Sequence, residues 1–155
     1  MDVVCVNPLT DPLWLTLIQE QRSSVFHTPE WMRVLTDTYG FDIRAYLLLN
    51  ENGAPEAGMP FCRICDLRGD RIVALPFCDY LDPLAASADQ WNTLLEQLTA
   101  EHVPVIFRCL HNVVPLADER VREFKRAKWH GVDLRRADDA LWMSLDGAAR
   151  RAIQK

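Results

Sequence analysis

Ile43-Arg44-Ala45-Tyr46-Leu47-Leu48-Leu49, followed by Asn52-Gly53 and then by Ala57-Gly58-Met59-Pro60-Phe61-Cys62-Arg63-Ile64-Cys65-Asp66-Leu67, is the stretch that decides the fold. Its first segment has a period of two. Ile43, Ala45, Leu47 and Leu49 fall on one face and Tyr46 and Leu48 on the other, so a strand covered on both sides is expected. Asn-Gly tolerates the positive φ angles of a tight hairpin turn, which makes Ala57 to Leu67 the returning strand. Arg68-Gly69-Asp70 turns the chain again into a third strand, Arg71 to Pro76. The region from Ile43 to Pro83 therefore reads as an antiparallel meander. Pro60 has no N–H to give to a ladder, which predicts an edge, a bulge or a local splay where it sits.

On the amino-terminal side, Val3 to Val6 reads as a short strand. Asp11-Pro12 opens a helix whose Leu13, Trp14, Leu17 and Ile18 recur at helical spacing. Thr28-Pro29-Glu30 opens a second, with threonine as the cap, proline in the first turn and an acid at the positive end of the dipole. Trp31, Val34, Leu35 and Thr38 are its expected inward face, and Gly40 its stop. On the carboxy-terminal side, Phe77 to Ala86 reads as a loop, and Ser87 caps a helix carrying Trp91, Leu94, Leu95 and Leu98. Val103 to Leu110 is expected as a buried strand. Asp118 to Lys128 is expected as an amphipathic helix with Val121 and Phe124 inward, and Trp129 to Leu134 as a strand. Asp138 or Asp139 then caps a last helical segment that Gly147 interrupts. Strands grouped between helices imply an α/β domain of the α+β kind: a mixed, largely antiparallel sheet flanked by helices.

The chain has 155 residues, of which 49% are hydrophobic and 25% charged, enough for one domain with a real core. A formal net charge of −5 disfavours a general nucleic-acid binder. No basic segment followed by a long apolar run opens the sequence, and no later stretch has the length of a membrane span, so a cytoplasmic location is expected. Five cysteines, mostly within apolar segments, suit buried thiols rather than disulfides.

Few residues suggest chemistry. Cys62 and Cys65 have the spacing of half a zinc site, but no second pair completes it and positions three apart on a strand face opposite sides, so no metal is expected. His27, His102, His111 and His130 lie in no metal spacing and beside no recognisable serine or cysteine nucleophile motif. His27, directly before the Thr28-Pro29 cap, is the one most suited to support a turn or face a cleft. Trp31, Trp91, Trp129 and Trp142 read first as core. Trp31 with Arg33 could also offer a ring and a fixed cation to an anionic ligand. In the loop Phe77-Cys78-Asp79-Tyr80-Leu81-Asp82-Pro83, Asp79 and Tyr80 either bind a polar substrate or brace the turn. Arg151 and Lys155 place two cations on one helix face, exposed to solvent or to an anionic partner.

Taken in order, Phe26-His27-Thr28-Pro29-Glu30-Trp31, Gly58-Met59-Pro60, Leu75-Pro76-Phe77-Cys78-Asp79-Tyr80-Leu81-Asp82-Pro83-Leu84, Leu141-Trp142-Met143-Ser144-Leu145 and Arg150-Arg151-Ala152-Ile153-Gln154-Lys155 resemble the amino-terminal GNAT-like domain of the FemAB-like (Fem-type) aminoacyl and acyltransferases. The resemblance implies a GNAT-like domain over residues 1–137. Residues 138–155 would then begin the helix that in the family leads into a second GNAT-like domain, absent from this chain. It further implies transfer of an aminoacyl or acyl group, classically from aminoacyl-tRNA, onto an amine of a peptidoglycan or other cell-envelope precursor. Such chemistry relies on orientation and oxyanion stabilisation, without a resident nucleophile. No cofactor is implied. The glycine-rich turn with which acetyl-CoA-dependent GNAT enzymes cradle a pyrophosphate is replaced here by the acidic loop, which would repel one.

Trp31, Arg33, Asp79, Tyr80, Arg151 and Lys155 are the substrate-binding candidates, and no catalytic residue is assigned. Of the basic residues that the family places near the tryptophan helix, Arg33 alone is represented. Little or no transfer activity is expected from these residues without a second domain or a further copy of the chain. Two other readings stay open: a stand-alone binding or pseudo-enzyme module for an anionic ligand or protein partner, and an acetyl-CoA-dependent N-acetyltransferase.

Overall fold

The computed structural model describes residues 2–128 and 131–154. Its contacts divide the chain into two compact units, residues 1–122 and residues 123–155. The first is an α+β fold around a five-stranded open sheet, and the described residues hold five α-helices in all.

The sheet runs in the order β1 (Asp2–Val6), β2 (Ile43–Leu49), β3 (Pro55–Asp66), β4 (Gly69–Val73), β5 (Val105–Ile106). Neighbours are antiparallel except β4 and β5, which are parallel. Asn50 Oδ1 closes the first hairpin by accepting the amides of Asn52 (2.9 Å) and Ala54 (3.0 Å), and Gly53 supplies a φ of +77°. That geometry favours glycine. Leu47 and Leu48, adjacent on β2, are both fully buried, so both faces of the sheet are covered.

Helix α1 (Pro12–Glu20) covers one face. A Cβ at Gly58 would lie 2.7 Å from Leu17 Cδ2 and 2.8 Å from Leu47 Cδ2, so glycine is what lets the helix approach β3. The Asp11 carboxylate caps α1 by accepting the Leu13 amide at 2.9 Å. Thr28 caps α2 (Pro29–Tyr39), which ends on Gly40 in the left-handed region. The buried face of α2 is Pro29, Met32 and Leu35; Val34 and Thr38, expected inward, are exposed. Ser87 caps α3 (Ala88–Thr99), whose Trp91, Leu94, Leu95 and Leu98 are buried as expected.

Pro60 marks a splay. Gly58 exchanges both backbone hydrogen bonds with Leu84, at 2.8 and 2.9 Å, while Cys62 pairs with Val73. Residues 58, 60 and 62 aim their amides to the same side, so the proline occupies the one rung between these two partners. Strand β4 has left the ladder by then. It ends at Val73, earlier than expected, because Leu75 and Phe77 adopt positive φ angles of 45° and 59° and turn the chain away.

Three expectations fail beyond this point. The strand expected over Val103 to Leu110 shrinks to the two residues of β5 plus a single Leu81–Arg108 bridge. The helix expected over Asp118 to Lys128 does not form. Asp118 Oδ1 accepts the Arg120 amide at 3.0 Å and Oδ2 accepts the Trp91 indole N–H at 2.8 Å, a local turn that competes with helix initiation. Val121 packs on the core, but Phe124 is exposed. Of the strand expected over Trp129 to Leu134, residues 131–134 are irregular, and Trp129 and His130 lie outside the described residues.

In the second unit, α4 (Asp138–Ser144) and α5 (Gly147–Ile153) are separated at Leu145-Asp146, next to Gly147. Ala137 is the cap position of α4, with Asp138 and Asp139 in its first turn. Neither helix has a buried residue.

Candidate functional site

The segment before α2 folds as a short 3-10 turn, Val25–His27, flanked by Ser24 and Thr28. Its imidazole is buried, with 1% of the residue exposed. His27 Nε2 lies 2.9 Å from the Asp82 carbonyl oxygen, which can only accept, so Nε2 carries the proton and Nδ1 is the bare acceptor. Nδ1 faces Ser24 alone: the backbone amide donates to it from 3.1 Å and the hydroxyl from 3.0 Å. Trp14 donates its indole N–H to the His27 carbonyl at 3.0 Å and stacks on the ring with centroids 6.5 Å apart. Burial pushes the His27 pKa below its ordinary 6.5, against the opposing hydrogen bond and charge of Asp82. The ring is therefore held neutral.

Asp82 faces two ways. Its carbonyl takes the histidine proton, while its carboxylate accepts the amides of Leu110 (2.8 Å), His111 (3.1 and 3.2 Å to the two oxygens) and Asn112 (3.1 Å). Three successive amides thus hold an internal anion. Asn112 continues the clamp, donating Nδ2 to the carbonyls of Pro83 (2.9 Å) and Ala85 (2.8 Å) while its Oδ1 accepts the Val114 amide. The Arg108 guanidinium donates to the Cys78 carbonyl at 2.7 Å. Of the two aspartates in the acidic loop, Asp82 is the one that braces it. Asp79 is exposed and has no hydrogen bond or ion pair among the described residues.

A cavity of about 440 Å³ opens over this hub, lined in part by Arg22, Ser23, Ser24, Tyr80, His111 and Asn112, with His27 and Asp82 at its base. It borders Leu84, the residue that bridges to β3. An aromatic row runs back from the cavity, beginning with the lining residues His111 and Tyr80. His111 meets Tyr80 edge-on at 5.4 Å, Tyr80 meets Phe26 at 5.5 Å, and Phe26 meets Trp31 at 5.3 Å. Trp31 ends the row by donating its indole N–H to Cys78 Sγ at 3.2 Å.

Of the six substrate-binding candidates the structure joins two: Tyr80 lines the cavity, and Trp31 stands behind it through Phe26; His27, singled out for its place before the cap, lines the cavity as well. Arg33 is exposed on α2, is not part of the lining, and makes no hydrogen bond or ion pair among the described residues. Arg151 is exposed on α5 in the second unit, and Lys155 lies outside the described residues. Arg22, Ser24, His111 and Asn112 were missed. The one local signal was Ser24-Val25-Phe26-His27, in which cap and ring are three apart; His111 and Asn112 come to the site through Asp82, which no local pattern reveals.

The thiols are structural in character. Cys62 is buried and Cys65 exposed, as their spacing on β3 requires, and no group of three or more His, Cys, Asp or Glu among the described residues could hold a metal. Burial pushes the Cys62 and Cys109 thiols up to about 12 and Cys78 up to about 11. No helix among the described residues is long and apolar enough to cross a membrane. No protein-family model, curated protein or solved structure matches this chain.

Proposed function

We propose that this chain is the substrate-side domain of a FemAB-like acyltransferase that moves an aminoacyl or acyl group, in the cytoplasm, onto an amine of a cell-envelope precursor. The observation that carries the reading is the cavity over the His27–Asp82 hub. Its volume is that of a small-molecule site, and its lining mixes one cation, one carboxylate already held by backbone amides, two serine hydroxyls, two imidazoles, two side-chain amides and a phenol ring. Such a lining suits a polar, anionic precursor whose amine must be oriented rather than chemically activated.

The loop after β4 supports the same reading against coenzyme A. It bears Asp79 on its surface, and the three successive amides that face it, those of residues 110–112, already hold the Asp82 carboxylate. An entering pyrophosphate would compete with an internal anion fixed by the fold. Completion of the acyl-transfer site by a second GNAT-like domain or a further copy of the chain, with aminoacyl-tRNA as one donor, belongs to the same proposal.

Calorimetry with a soluble nucleotide-linked peptidoglycan precursor tests it. Saturable binding to residues 1–155, weakened by His111→Ala and by Arg22→Ala, is the expected result, with no transfer product when aminoacyl-tRNA is added. Absence of binding, or thermal stabilisation by acetyl-CoA in its place, would remove the reading.

A further inference from the structure

We propose that the outer edge of β1 pairs, antiparallel, with the β1 edge of a second copy of this chain, joining the two sheets about a two-fold axis at Val4. This goes beyond substrate binding and does not rest on it, since no β1 residue lines the cavity.

The direction of the backbone groups on β1 follows from β3. Gly58 gives both its N–H and its carbonyl to Leu84, so they point away from β2. Leu47, opposite Gly58, must then turn its own N–H and carbonyl the other way, toward its β1 partner Val4. Val4 therefore spends both backbone groups on β2. These directions alternate along a strand, so Val3 and Cys5 aim theirs outward, away from the sheet. Among the described residues, nothing outside the sheet hydrogen-bonds to residues 2–6.

An open edge of this kind is a template for another strand unless lysine, proline, a bulge or extreme shortness blunts it. Asp2-Val3-Val4-Cys5-Val6 contains neither lysine nor proline, and its register against β2 runs without a shift. The opposite edge strand, β5, is only two residues long.

The occupant that fits is the same strand. With Val4 set opposite the second copy's Val4, Val3 exchanges N–H and carbonyl bonds with the second copy's Cys5, and Cys5 does so with the second copy's Val3. Every outward group then finds a partner. The same register puts Asp2, the one charge on the strand, opposite Val6, so no like charges meet. The pairing is isologous and closes at two copies. Cys5 and Val3 stand off one face of the sheet, clear of the edge itself, which leaves the thiol open to solvent. Five residues a side make a small interface, so the dimer is reversible and follows concentration.

Sedimentation equilibrium of the full chain in reducing buffer, from about 10 µM to about 1 mM, is paired with amide hydrogen exchange by NMR over the same range. A monomer–dimer equilibrium is expected, in which exchange at Val3 and Cys5 slows in proportion as the monomer fraction falls. The Val4 amide, bonded to β2, should be protected at every concentration. Cys5→Pro removes an outward N–H and leaves the β2 ladder whole, so it should be monomeric throughout, whereas Cys5→Ser keeps that N–H and should dimerise like the wild type. Should Cys5→Pro not fold, the wild-type exchange pattern decides alone. A chain still monomeric at the upper concentration, a dimer that leaves Val3 and Cys5 exchanging freely, or a dimer that survives in folded Cys5→Pro would each overturn the proposal. Precursor binding in calorimetry is a separate readout, and its failure leaves this one untouched.

Discussion

His27 and Asp82, 55 residues apart in the chain, are joined by an Nε2–H to carbonyl hydrogen bond of 2.9 Å that ties the start of α2 to the loop leaving β4. Because the Asp82 carboxylate simultaneously holds residues 110–112, one residue fastens three segments. The cavity floor is this junction.

Asp82→Ala should therefore be costly. It leaves three part-buried amides without their anionic acceptor, and charge-assisted bonds of this kind are the strong ones, so a loss of about 3 kcal/mol is expected in urea unfolding. A change within about 0.5 kcal/mol would mean that the amides find other partners.

Stability should fall with acid in a way traceable to His27. Its folded pKa lies below the ordinary 6.5, so between the two values the unfolded chain takes up a proton that the folded ring refuses. Folding is thereby disfavoured as pH drops below 6.5, and the contribution is fully present above it. Urea midpoints at about pH 7.5 and about pH 5.5 should separate more in the wild type than in His27→Gln. Equal separations would contradict the assignment.

Gly58→Ala tests the close approach of α1 to β3. The new methyl would meet Leu17 at 2.7 Å, Leu47 at 2.8 Å and Trp14 at 3.1 Å, in a part of the core with no exposed side to yield into. A loss of about 1–3 kcal/mol in denaturant unfolding is expected, from overpacking rather than from backbone strain.

Thiol accessibility follows the same map. Under native conditions near neutral pH, a disulfide reagent should reach Cys5 and Cys65, which are exposed. Cys62 and Cys109, pushed up to about 12, and Cys78, pushed up to about 11, should titrate only in denaturant. Rapid native labelling of more than two thiols would show that the core around β3 opens.

What could be read in advance was what is encoded locally. The period-two run from Ile43, the Asn52-Gly53 turn, the caps at Asp11, Thr28 and Ser87, and the splay at Pro60 each depend on residues a few positions apart. The failures have a common cause in longer contacts. Asp118 gives one carboxylate oxygen to Trp91, 27 residues away, and the other to a local turn with Arg120, instead of opening a helix. The strand expected through Leu110 pairs only at Val105, Ile106 and Arg108, and its last amide, that of Leu110, turns to Asp82. The candidate site was half legible for the same reason: Tyr80 and His27 stood out within their own segments, whereas His111 and Asn112 become site residues only once Asp82 has pulled their loop over the cavity. Arg33 shows the converse, since its helical neighbourhood with Trp31 suggested a shared site while the structure leaves its side chain exposed and outside the cavity lining.

The central claim is that substrate binds in the cavity over the His27–Asp82 hub, and amide chemical-shift mapping tests it most directly. Titration of the chain with a nucleotide-linked envelope precursor should move the amides of Ser23, Ser24, Tyr80, His111 and Asn112 saturably, and His111→Ala should weaken the response. Titration to millimolar precursor with those amides unmoved, or with shifts confined to the neighbourhood of Arg33 or Arg151, would contradict it.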